Sequence, residues 1–494
     1  MKHSSTLLTV SLAALSAFVA FPAVANDLPK RPESISFKPL TFNAPMAANY
    51  RHVLSNGVVV FMAPSKELPL IDLTMTFRGG AYLEPADKTG LASMTASLMR
   101  IGGTQSMSPS DVDERLDFLA TNLVVGARDT VCVASIDTLT ANFDESLAIL
   151  MDILRNPRFD EAKMKIEVDE IMEGMKQRND DADPILSREW AMAMYGEDHF
   201  EARQPTEQSI RAVTRDNLAL YAGKVFNPAN VVVSVSGDFE TTDMLAKLEK
   251  AFAAWPKGER MPLPPAPTAS VKPGLFRVEK EIPQGKVYIG SRGITRDDPD
   301  YFAALVMNEI LGGGGFTSRI MKTVRSDEGL AYSAGSSLDA GVYYPGEFRA
   351  AFQSKSPTVA LAIKLIEGEF ERMRETPVSA EELDVAKKSF IETFPRAFES
   401  KSAMLGIFVS DEWTGRDPMY WQTYRDNIAK VTAADVQRVA QRMLNMEQMA
   451  VYVVGDWDTI APGDPTGRAR MADFFEDQST ELPLRDPMTM QPMR

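Results

Sequence analysis

The chain has 494 residues, 44% hydrophobic and 24% charged, which is apolar material for more than one core and excludes disorder as the main theme. Its 68 acidic residues outnumber 53 basic ones, a net charge of −15 that argues against a nucleic acid partner, because phosphate binding depends on clustered Lys and Arg. One cysteine, Cys132, excludes an intrachain disulfide and a thiolate metal cluster, and a mean hydropathy of −0.17 with one long apolar run excludes a transmembrane bundle. Histidine is the scarcest functional group, present only at His3, His52 and His199.

Residues 1–25 read as a secretory signal peptide. Lys2 and His3 give the positive start, residues 7–21 the apolar stretch, and Ala23-Val24-Ala25 the small-x-small cleavage site. The mature chain is then exported, with the periplasm as its expected compartment and no membrane span left. Residues 26–46 are polar and Pro-rich. Strand patterns follow around Val58 to Met62 and from Ile71 to Phe77, the second alternating apolar and polar. Leu91, Met94, Leu98 and Ile101 fall at helical spacing before the Gly102-Gly103 stop. Residues 110–122 read as helix, 123–138 as strand, 142–155 as helix, and 159–178 as a long charged helix. A helix over 212–224 and a buried strand over 231–235 close the first half.

Residues 256–274 hold six prolines and read as an extended connector. After it the order of elements repeats: strands over 278–290, a helix over 301–311 stopped by Gly312 to Gly315, strands within 330–353, and helices over 357–373 and 380–393. Val213-Thr214 opens a helix that leads to a strand and Gly237-Asp238. Val431-Thr432 opens another that leads to Gly455-Asp456. Both landmarks are 218 residues apart (431 − 213 and 455 − 237). The chain is therefore expected to be duplicated: an N-terminal domain over 46–257, a linker over 258–274, a C-terminal domain over 275–460 and a tail over 461–494. The Met-rich end of that tail (Met488, Met490, Met493) reads as disordered.

Several motifs in this order resemble the pitrilysin/insulinase/mitochondrial processing peptidase family. In the first half they are Gly79-Gly80, Glu84, Gly90-Leu91-Ala92, Gly103-Thr104, Phe159-Asp160-Glu161 and Tyr195-Gly196-x-Asp198-His199. In the second half they are Leu311 to Phe316 with Ser318-Arg319, then Val324-Arg325 and Gly329-Leu330-Ala331-Tyr332-Ser333. The resemblance covers about residues 46–460. It implies an α+β fold of two homologous α/β-roll domains, a metallopeptidase-like half-shell with antiparallel sheets flanked by helices.

Active members of that family carry His-x-x-Glu-His on a first-half helix, two imidazoles holding zinc and a glutamate taking the proton from its water. The matching positions here are Ser93, Ala96 and Ser97, with Arg100 one turn on. The third ligand is implied on the long helix downstream, where Glu167 fits the first of two glutamates and Gly174 stands seven residues later beside Glu173. Once the signal is removed only His52 and His199 remain, in different elements, so a two-histidine helix site cannot be built. His52 reads as a strand-edge surface residue and His199 as a hydrogen-bonding group after a turn. Gly312 to Gly315 lacks the Gly-Lys-Ser/Thr of a phosphate loop. Cys132 reads as an inert core thiol, and Asp180, Asp181 and Asp183 as a solvated helix exit. Ser93 and Ser97 have no histidine placed as a base.

Arg325 and Tyr332 match a pair that in the family faces the zinc across the chamber and binds the substrate. The alternative for these two is structural, a helix cap and a sheet filler. The resemblance thus implies a non-catalytic subunit that needs no cofactor of its own. Its partner would be a homologous zinc-bearing peptidase subunit, and its ligands unstructured peptides. Two further readings stay open: an autonomous peptide-binding or structural subunit, and an active metallopeptidase with a non-standard site.

Overall fold

In the computed structural model, which describes residues 31, 35 and 41–493, the repeat is one of topology. The signal peptide, His3 included, lies outside the described residues. The first half runs β1 (Arg51–Val53), β2 (Val59–Pro64), β3 (Leu70–Arg78), α1 (Leu91–Ile101), α2 (Pro109–Phe118), β4 (Asn122–Ala127), β5 (Val131–Leu139), α3 (Phe143–Arg155), α4 (Glu161–Lys176), α5 (Ala182–Tyr195), α6 (Glu207–Arg211), α7 (Arg215–Val225), β6 (Val231–Gly237) and α8 (Thr241–Ala253). The second runs β7 (Gly274–Glu279), β8 (Gln284–Arg292), α9 (Tyr301–Asn308), β9 (Ala331–Leu338), β10 (Glu347–Lys355), α10 (Val359–Glu375), α11 (Ala380–Thr393), α12 (Lys401–Thr414), α13 (Tyr420–Lys430), α14 (Ala433–Met443), β11 (Ala450–Gly455), α15 (Trp457–Ile460) and β12 (Ser479–Leu482).

The sheet orders are β1-β2-β6-β3-β5-β4 and β12-β7-β11-β8-β10-β9. Five strands occupy matching places in the two. The sheets are mixed and not wholly antiparallel as expected: β6 lies parallel to β2, and β11 parallel to β7. Each of these strands arrives after a long helical crossover, which allows a parallel neighbour. The repeated landmarks have a common cause. Thr214 and Thr432 are N-caps of α7 and α14, each accepting from the backbone three residues on in a capping box.

Each sheet has one face buried in its own half. The other face is covered by a helix from the opposite half. Ile185, Leu186, Trp190 and Met194 of α5 pack with Val278, Tyr452 and Val454 of the second sheet. Leu405, Phe408, Val409 and Trp413 of α12 pack with Phe61, Ala63 and Val232 of the first. Burial of a large apolar side chain stabilises by about 1.5–3 kcal/mol, so four such residues per helix bind the halves together. The connector has no helix or strand, but it is tied down: Met261 N–H donates to Asn230 Oδ1 at 3.1 Å.

The tail departs from expectation. Residues 479–482 form β12, a parallel edge strand on β7. Arg485 reaches Glu189 at 3.2 Å and Glu197 at 2.6 Å, and Met490 is buried. Backbone pairing and an ion pair to buried Glu189 order this segment, and neither shows as an apolar period.

Candidate functional site

Helix α1 starts where Glu84 receives the backbone N–H groups of Gly90 and Ala92 at 3.1 and 2.7 Å. Burial pushes the Glu84 carboxyl up against the pull of these two bonds. The helix presents Ser93 and Ser97 to a shallow depression of about 310 Å³, with Ala96, Arg100, Val125 and Gly126 in its walls. Ser93 donates to the Gly90 carbonyl at 3.0 Å, an intrahelical bond. Glu167 of α4 faces Ser97; burial raises its carboxyl, with the Ser97 hydroxyl pulling the other way. Gly174 is two turns further along α4, exposed, with nothing within 4 Å of a Cβ placed there. Zinc takes imidazole, thiolate or carboxylate; none of these lines the depression among the described residues, and Glu167 beside Ser97 is a single donor, so the set does not fit the ion. Arg100 is engaged elsewhere: its Nε donates to the Leu123 carbonyl at 3.0 Å and its Nη1 to Asp113 at 2.7 Å.

Beside the depression runs β4, an outer strand of the first sheet. Arg128 N–H donates to the Val131 carbonyl at 2.9 Å, and bonded pairs alternate along an antiparallel ladder. Gly126 and Val124 therefore pair with β5, while Leu123, Val125 and Ala127 turn their N–H and C=O groups outward. Arg100 covers the Leu123 carbonyl. Val125, which is buried, and half-buried Ala127 line the depression.

In the second half, Arg325 and Tyr332 lie against each other. Gly312 sits in a π-helical turn over Glu309–Gly313, where a Cβ would meet the Ser336 backbone N of β9 at 2.2 Å. Met321–Asp327 is a second π-helical turn, a form found often at functional sites. It carries Arg325, whose guanidinium lies 4.8 Å from the Phe316 ring centroid and 4.6 Å from that of Tyr332. Arg325 Nη1 also donates to the Tyr332 backbone carbonyl at 2.7 Å. Tyr332 is 85% exposed and Phe316 71%, so the tyrosine does not fill the sheet. Sequence reasoning missed Phe316 as the third member of this stack. Its adjacency to the glycine run was the available signal.

The two histidines stand apart from both places. His52 is in the edge strand β1, opposite Val60. His199 Nε2 donates to the Pro265 carbonyl at 3.0 Å, and its ring stacks on Tyr195. Cys132 is buried in β5, and burial pushes its thiol up to about 12.

Residues 212–390 match the family described as the peptidase M16 inactive domain. The chain is 23% identical over 414 residues to the "Non-peptidase homolog YmxG" of Helicobacter pylori, covering 83% of this chain and 94% of that protein. An "Uncharacterized zinc protease" of Rickettsia bellii is 22% identical over 413 residues, 81% of this chain and 96% of that one. Among solved structures, a peptidase M16 inactive domain from Pseudomonas fluorescens has a TM-score of 0.73 at 24% identity, over 82% of this chain and 97% of that chain. The periplasmic protease PqqL of Escherichia coli has a TM-score of 0.69 at 16% identity, over 88% of this chain and 49% of that chain. No helix among the described residues is long and apolar enough to cross a membrane.

Proposed function

We propose that this peptidase M16 homologue, which carries that family's inactive domain, is the non-catalytic subunit of an exported heterodimeric zinc peptidase. It binds unstructured peptide and presents Arg325 and Tyr332 to a zinc site on a homologous partner. The periplasm is the proposed compartment, and zinc belongs to the partner alone. The observation that carries this reading is the Phe316–Arg325–Tyr332 stack. Its phenol is exposed, and its guanidinium has no carboxylate partner among the described residues. A stacked guanidinium is held in place by its neighbours, so its free N–H groups are already oriented toward a ligand. The outward groups of Val125 and Ala127 on β4 suit a peptide that adds as a strand, which reads backbone with loose sequence preference. Non-peptidase and zinc-protease names among the similar proteins agree with a fold used in both active and inactive forms.

The test is reconstitution. The mature chain alone is expected to leave unstructured peptides uncut. With a homologous subunit bearing His-x-x-Glu-His, sought first in the neighbouring gene, it is expected to comigrate on size exclusion and raise peptidase activity. Peptide cleavage by the isolated chain, lost on changing His52 or His199, would establish instead an active enzyme with a non-standard site.

A further inference from the structure

The two sheets share their strand order, but their helix-covered faces are filled differently. In the second half the row Ala351–Tyr288–Tyr452 crosses β10, β8 and β11. Trp190 of α5 packs edge-on against both tyrosine rings at 5.7 and 5.9 Å, and Arg349 lies 4.3 Å from the Tyr288 centroid. The equivalent row in the first half, Ser135–Thr74–Ser234 across β5, β3 and β6, carries hydroxyls only. Where the second half has rings, the first has a cavity of about 410 Å³ between these strands and α12.

The cavity sets a row of strand hydroxyls against an apolar wall that includes Leu405, Val409 and Trp413 of α12. Ser236 is only 5% exposed and lines it, and the Ser236 hydroxyl has no hydrogen-bond partner among the described residues. Thr74, Thr76 and Ser234 line it in the same unpartnered state. Ser236 is buried and Thr74, Thr76 and Ser234 are half-exposed, so the row offers unpartnered hydroxyls that a molecule entering the cavity can reach. Of the lining residues only Asp72 is charged. The register sets it opposite Asp137 on β5 and Ser236 on β6. Gly79 N–H bonds the Thr130 carbonyl, and alternation along the ladder makes Asp72 and Asp137 a non-bonded pair, where facing side chains are closest. Like charges directly opposite destabilise a sheet, and neither carboxylate has an ion-pair partner among the described residues. Burial and the Asp137 charge both push the Asp72 carboxyl up. Gly406 of α12 lines the same cavity, with nothing within 4 Å of a Cβ placed there. Glycine weakens a helix interior, and no packing contact requires it here. Its effect is to leave room.

We propose that this cavity binds a small polar ligand through a primary ammonium group, held between Asp72 and Asp137 with its body along the hydroxyl row beneath Gly406. An ammonium offers three donors, which suits two carboxylates and the Ser236 hydroxyl. The amino end of a short peptide and a polyamine carry the same group. The site is separate from α1 and from the Arg325 stack, and it stands or falls independently of the peptidase reading.

Calorimetric titration of the full mature chain with triglycine, N-acetyl-triglycine and spermidine tests it. At least one free amine is expected to bind and the acetylated peptide is not; triglycine alone assigns the peptide terminus, spermidine alone the polyamine. The double change Asp72→Asn and Asp137→Asn is expected to weaken binding about tenfold or more, as loss of charge-assisted bonds does. Gly406→Met is expected to fill the cavity and abolish binding while raising the melting temperature. Failure of both amines to bind, equal binding of the acetylated peptide, or full binding by Gly406→Met or by the folded double Asn variant would overturn the proposal.

Discussion

Arg100 and Arg325 make the same bond in the two halves. Each donates to a backbone carbonyl of an outer strand, Leu123 of β4 and Tyr332 of β9. They differ in what else they hold. Arg100 is neutralised by Asp113, while Arg325 lies between two exposed rings. The positions that the resemblance matches to the zinc motif carry two hydroxyls, an alanine and a glycine, none of which is a zinc ligand side chain of the usual kind. Placing His, Glu and His at positions 93, 96 and 97 is therefore expected to give weak zinc retention after dialysis and no peptidase activity. Adding Gly174→Glu, into open space, is expected to raise retention. Metal analysis of both variants checks this, and tight stoichiometric zinc in the first would mean that Glu167 or Glu173 already supplies the third ligand. That Ser93, Ala96 and Ser97 fall on one helix was legible from the helical spacing. That Arg100 is engaged was not, because its acceptor lies 23 residues away on a strand edge.

Helix α11 shows what an element owes to one residue. Glu382 closes a capping box with Ser379 and takes Arg319 at 2.7 and 3.1 Å. Burial works to raise this carboxyl, but Arg319 and the Ser379 hydroxyl and N–H outweigh it and hold it at about 2, from an ordinary 4.5. A carboxyl depressed by folding stabilises fully above its unfolded value, and the contribution is lost as pH falls from about 4.5 toward 2. Glu382→Gln is expected to reduce stability at pH 6 by about 1 kcal/mol, allowing for partial exposure, and the gap to the parent is expected to close toward pH 2. Urea denaturation at a series of pH values measures it; a gap independent of pH would show a packing effect. At this scale the strand from Ile71 to Phe77 was legible from its alternation. The destination of its polar set, Asp72, Thr74 and Thr76, was not. It is fixed by α12, more than 300 residues later, and an amphipathic period says that a face is buried without saying against what.

The whole molecule is a duplicated α/β unit in which each half covers the other's sheet. The duplication was readable because helix caps and strand ends are local chemistry that survives at fixed spacing. The exchange of α5 and α12 is tertiary and left no local mark. The tail was misread for a related reason, since its order comes from β7 and from Glu189, which is 4% exposed. Truncation after residue 478 removes β12 and Arg485 together. It is expected to destabilise by about 1.5–3 kcal/mol from the lost charged hydrogen bonds alone, seen as a lower melting temperature. An unchanged melting temperature would show that the strap carries no stability.

The assembled complex with a zinc-bearing partner is where the central claim meets its most direct measurement. A donor at the developing oxyanion is typically worth about 2.7–4 kcal/mol, or about 10²–10³ in rate. Tyr332→Phe removes a single exposed hydroxyl that has no hydrogen-bond partner among the described residues, so folding and assembly are expected to persist. Steady-state kinetics of the mutant complex, with assembly verified by size exclusion, are predicted to show a fall in kcat larger than any rise in KM. Unchanged kcat and KM in an intact mutant complex would contradict the account and leave this chain a structural subunit.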